Sequence, residues 1–130
     1  MSTATTLDLF RLTAADKKIL LAAADIIEMN GWCQGDFLDY DELDAAHRQG
    51  IELPLSACAV DIYGAINIAA NGTPNRLSEP GDHAVAVLAA YLGVPAGICG
   101  VGGWNDDPDR TAEQVITALR ACATEQEVAA

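Results

Sequence analysis

Residues 13–31 read TAADKKILLAAADIIEMNG, and this stretch decides the fold class. Ile19, Leu20, Ala23, Ile26 and Ile27 recur at intervals of three and four, which puts them on one face of a helix. Thr13 and Asp16 stand at the N-cap and N3 positions of a capping box, with Leu12 in the staple position just ahead. Asn30-Gly31 closes the segment, glycine being the residue that most readily takes the left-handed C′ conformation. The spacing predicts a helix over residues 14–30.

Outward from this helix the same grammar repeats. Asp41 is placed to cap a short helix over Glu42 to Gln49, stopped by Gly50, and Ile51 to Leu55 form an extended link around Pro54. From Ser56 the run SACAVDIYGAINIAANG predicts a second long helix over 56–71, with Ala59, Ile62, Ile66 and Ala69 or Ala70 inward. Gly64 within it is expected to mark close helix packing. Asp82 caps a third helix through Val85, Leu88, Ala89 and Leu92 to Gly93. The following VPAGICGVGGWNDDPD reads as a glycine-rich loop. Thr111 and Gln114 then open a last helix over 111–123, with Val115, Ile116, Leu119 and Cys122 as its apolar stripe. With almost no alternating run, the expectation is an all-α fold: a single compact orthogonal bundle of four long helices and one short one. Residues 1–12 are expected to form a flexible N-terminal arm, 13–123 the helical domain and 124–130 a frayed C-terminus.

Composition narrows function more than it names one. The chain has 130 residues, 19 acids against seven Lys and Arg, and a formal charge of -12. Each neutralised nucleic-acid phosphate needs a basic group, and these seven are scattered, so neither nucleic acid nor an anionic membrane is expected as a partner. A basic protein partner or a second copy of the chain fits better, with Leu7, Leu9 and Phe10 of the arm as candidate contacts. The N-terminus lacks the pattern of a signal peptide, and Ala84 to Val101 lacks the apolar density of a membrane span. Cys33, Cys58, Cys99 and Cys122 are widely spaced, with no CxxC and only His47 and His83 to assist, so no metal site is expected. Reduced thiols in the cytoplasm are the expectation.

Glycines 93, 97, 100, 102 and 103 match neither GxGxxG nor GxxxxGK[ST], and no cofactor is expected. Asn105, Asp107 and Asp109 imitate the start of a calcium loop, but Arg110 stands where its glycine belongs and Ile116 where its glutamate belongs. Cys33 is the best-placed nucleophile, yet neither histidine stands at a recognised spacing from it. Asp44, one turn ahead of His47, is as well explained by an exposed pair. The balance favours a non-enzymatic interaction or binding module. The alternative is a small-molecule-binding protein or enzyme with a pocket between the Trp32 and Trp104 turns. In it Trp32 and Trp104 form apolar walls, Asn105 orients a polar group, and Arg110 pairs with an acidic ligand or holds Asp106 in place, with Gln34 and Thr111 as further residues of the ligand or structural site. Crowding by acids makes Arg110 mainly an internal tie.

The runs IIEMNGWCQG (26–35) and GWNDDPDRTAEQVITALRACA (103–123) resemble a family of small uncharacterised proteins from actinobacteria and their phages. Its members carry Gly-Trp-x-x-Gly after a helix and a late Trp-Asn-Asp-x-x-x-Arg-Thr-x-x-x-Val segment. Gly31, Trp32 and Gly35 satisfy the first motif; Trp104, Asn105, Asp106, Arg110, Thr111 and Val115 satisfy the second. Asp61-Ile62-Tyr63 departs from the pattern, which prefers small or Leu-containing residues there. The resemblance implies an all-α domain and a shared site at the two Trp motifs. It implies no activity.

Overall fold

A computed structural model describes residues 11–129, and every regular element among them is helical. The arm residues Leu7, Leu9 and Phe10 lie outside the described residues. The helices are α1 (Ala14–Asn30), α2 (Tyr40–Arg48), α3 (Ile62–Asn71), α4 (Glu79–Leu92), the single turn α5 (Gly103–Asn105) and α6 (Ala112–Glu125).

α1 forms as its sequence predicts. Thr13 Oγ1 accepts from the Asp16 N–H at 3.1 Å, and Asp16 Oδ2 accepts from the Thr13 N–H at 2.9 Å, closing the capping box. Leu12 is buried beneath it. Asp16 is buried too, because its second oxygen lies 2.8 Å from Nδ1 of His83 on α4. Gly31 does take a positive φ, +102°, but with ψ 169° it is outside the left-handed helical region. The chain therefore leaves α1 extended.

Three helix starts differ from the sequence expectation, each for a local reason. α2 is capped by Asp39, whose Oδ1 accepts from the Glu42 N–H at 3.1 Å, so it begins ahead of Asp41. α4 begins at Glu79, since Ser78 caps it and Pro80, lacking an N–H, suits a first turn. The largest difference is at α3. Residues 56–61 do not belong to it: Leu55–Ala57 form a 3-10 turn and Cys58–Asp61 run extended to a cap at Asp61. This strap binds the loop after α1: Val60 N–H donates to Gly31 O (3.2 Å), Cys33 N–H to Val60 O (3.0 Å) and Asp39 N–H to Ala59 O (2.8 Å). The loop's backbone groups need partners, and that need overrides the helical spacing. Gly64 consequently sits in the first turn of α3. A Cβ there would lie 2.0 Å from Phe37 O, so the close approach is to loop backbone and not to another helix.

The glycine-rich segment is not a plain loop. Ile98–Gly102 form a π turn that continues directly into α5. The core is built from Leu20 and Ile27 of α1, Ile62 and Ile66 of α3, Val85 and Leu88 of α4, Val101, and Leu119 of α6. Cys58 and Cys122 are small core residues, as expected. α1 packs most extensively on α6, then on α3 and α4. α2 lies outside, with no buried residue. Beyond α6 the chain returns, and Ala129 N–H donates to Leu12 O at 2.7 Å. No helix among the described residues is long and apolar enough to cross a membrane.

Candidate functional site

The loop after α1 and the turn around α5 meet at one end of the helices, and Asn105 joins them. Its side chain is fully buried. Oδ1 accepts from Trp32 Nε1–H at 2.8 Å and from the Ile62 N–H at 3.0 Å. Nδ2 donates to Cys33 O at 3.3 Å and to Asp106 Oδ1 at 3.0 Å. Two donors on one side and two acceptors on the other fix the amide's orientation and use all of its main hydrogen-bonding capacity. Gln34 reinforces the seam by donating to Asn105 O (3.0 Å) and Asp107 O (2.8 Å), and Asp106 Oδ1 accepts from the Gly35 N–H at 2.9 Å.

Trp104 and Arg110 form a separate unit. The guanidinium lies 3.8 Å from the indole centroid, and Nε–H donates to Trp104 O at 2.9 Å. Its link to Asp107 is long, at 3.9 Å. Arg110→Ala is therefore expected to cost about 1–2 kcal/mol in urea denaturation, from one hydrogen bond and one partly buried cation–π contact. Arg110→Lys, lacking the planar fork, should recover less than half of that; a loss in the alanine variant within measurement error contradicts the role. Thr111 caps α6: its Oγ1 accepts from the Gln114 N–H, and Gln114 Oε1 accepts from the Thr111 N–H.

A cleft of about 470 Å³ does open between the two loops, but neither indole lines it. Its walls are Gly35, Asp36 and Phe37 from one loop, Asp61 and Tyr63 at the start of α3, and Cys99, Gly102, Gly103 and Asp106 from the other. Asp106 is thus the one residue of the expected pocket that reaches it. The sequence reading missed Asp36, Asp61 and Tyr63 as lining residues. The available signal was the departure at Asp61-Ile62-Tyr63 from the motif pattern, together with an Asp three residues before a glycine. A second hollow, lined by Cys33, Gln34, Gly35, Leu38 and the acids Asp36, Asp39 and Asp41, lies across the Gly35–Asp36 ridge.

The electrostatics are one-sided. Asp61 is only 6% exposed, and Oδ1 accepts from the Gly64 N–H at 2.6 Å. Burial nevertheless pushes its carboxyl up to about 7, against the pull of the Gly64 and Tyr63 N–H groups and with the help of Asp106 and Asp36. Burial and the acids Asp61, Asp39, Asp36 and Asp106 push the Cys33 thiol up to about 12. That thiol faces the carbonyls of Asp36 and Ala59 and is a poor nucleophile. Neither histidine assists it: His83 is held by Asp16, and His47 lies on exposed α2 beside Glu52, Leu53 and Pro54. Among the described residues, no group of three or more His, Cys, Asp or Glu could hold a metal ion.

The chain belongs to a family of unknown function, DUF6197, whose model matches residues 11–125. No curated protein and no solved structure matches it.

Proposed function

We propose that this protein is a non-enzymatic binding module that engages a basic protein partner through the acidic face around the Gly35–Asp36 ridge. The observation that carries the reading is the lining of the two hollows. Asp36, Asp39, Asp41, Asp61 and Asp106 contribute carboxylates, and no Lys or Arg is among the lining residues. The nearest basic residue of the seam, Arg110, is engaged with Trp104 and Asp107, and Arg120 is paired with Asp25 and Glu28. A second copy would bring the same acids against the same acids and is opposed on charge. Nucleic acid is opposed for the same reason. Four free cysteines support a cytosolic location as part of this reading.

A second reading, acid–base chemistry on a small molecule, draws on Asp61 being pushed up to about 7, a useful range for proton transfer. It lacks an activated nucleophile, which leaves binding as the better account. Titration with octalysine is the test, with octaglutamate as control. Binding of octalysine at low salt, weakening steeply with added salt and reduced by Asp36→Asn with Asp39→Asn, is expected. Absence of octalysine binding, or binding indifferent to those substitutions, overturns the proposal.

A further inference from the structure

Resting on that reading, we infer that Asp61 is a proton-operated switch beneath the acidic face. Ionised, it adds its charge behind Asp36 and Asp106 and strengthens the hold on a basic partner. Protonated, it withdraws that charge and loosens the hold. The ridge thus engages its partner in neutral to alkaline solution and releases it in mildly acidic solution.

The geometry sets Asp61 apart from Asp16, the other buried acid among the described residues. Asp16 Oδ1 lies 2.8 Å from His83 Nδ1, and its Oδ2 accepts from both the N–H and the hydroxyl of Thr13. Asp61 has the Gly64 and Tyr63 N–H groups of its own helix start and no ion-pair partner among the described residues. Capping does not require its charge. Thr13, Ser78 and Thr111 cap α1, α4 and α6 as neutral side chains, and asparagine caps as well as aspartate does. The ionisable carboxyl is therefore the part of Asp61 that the fold does not use.

The groups that face Asp61 among the described residues are acids and neutral side chains. Asp36 and the Cys33 thiol come from the loop after α1, Asp106 from the end of α5, and the Tyr63 hydroxyl from α3 itself. Cys99 of the π turn lines the same cleft. Burial and nearby acids push the Cys33 thiol up to about 12, and burial with Asp82 pushes the Tyr63 hydroxyl up, so both stay neutral while Asp61 titrates. Burial and two like charges push the Asp61 carboxyl up to about 7. A polycation over Asp36 and Asp106 favours the ionised form, and by linkage the ionised form binds that polycation more tightly by the same factor. Asp61 ionises as pH rises through about 7, so affinity rises over that interval. The coupling acts through the field of the face, over about 8–10 Å at ordinary salt, and not through a chelated ion.

Octalysine affinity of the full chain should be measured at pH 6 and pH 8, at one ionic strength, for the parent, Asp61→Asn and His47→Gln. The parent is expected to bind about three- to fivefold more tightly at pH 8. Asp61→Asn should bind equally at both, near the parent's value at pH 6. His47→Gln, which removes the imidazole of α2, should keep the parent's rise. Calorimetry in two buffers of different ionisation enthalpy needs no variant: octalysine binding to the parent at pH 7 should release a fraction of a proton. Equal affinity at the two pH values, no proton release, or a rise that Asp61→Asn retains or His47→Gln abolishes overturns the switch and leaves the acidic-face reading in place. No octalysine binding at either pH removes both.

Discussion

Asn105→Ala is expected to lower stability by about 3–5 kcal/mol. The variant leaves Trp32 Nε1–H and the Ile62 N–H without their shared acceptor, and Cys33 O and Asp106 without their shared donor. All four lie around a fully buried side chain, so water cannot readily replace it. Asn105→Asp should also destabilise. It keeps the acceptor but sets a second anion against Asp106 and the Cys33 carbonyl. Urea denaturation at constant m-value measures both; a loss under about 1 kcal/mol for the alanine variant would show that the seam is not held by this amide.

Asp61→Asn is expected to act in the opposite direction, raising stability by about 2–4 kcal/mol at pH 8 and hardly at all near pH 4. The folded-state carboxyl is pushed up to about 7 from an ordinary 3.8. Between those values the folded protein holds a proton that the unfolded chain has released. Stability therefore falls as pH rises from about 4 to about 7 and is level above that. Asparagine does not titrate, and it caps α3 as aspartate does. The gain at pH 8 is the measure of what the parent gives up to keep a charged group at the cleft, a trade typical of binding sites. Equal urea midpoints for parent and variant at pH 8 would contradict it.

How much of this was legible in the sequence follows the range of the forces. α1 and α6 are set by capping boxes and apolar stripes within a few residues, and both formed where the spacing put them. α3 began late because its presumed first turns pair with a loop some 20–30 positions earlier, information that periodicity does not contain. The two Trp motifs were visible as unusual residues at element ends. That Asn105 would bond Trp32 across 73 positions was not. The cleft was the least legible part. Asp36, Asp61 and Asp106 lie on three segments, each ordinary alone in a chain with 19 acids. Gly102 and Gly103 read as loop residues because a glycine-rich run resembles one, whereas they occupy consecutive helical turns.

Carbon-13 NMR titration of the Asp61 carboxyl, with and without saturating octalysine, bears most directly on the claim that this end of the molecule is an uncompensated acidic face for a basic partner. The expected result is a midpoint of about 7 in the free protein that falls when octalysine binds, since positive neighbours favour the ionised form. A midpoint near 4 in the free protein, or one that octalysine leaves in place, would contradict the account.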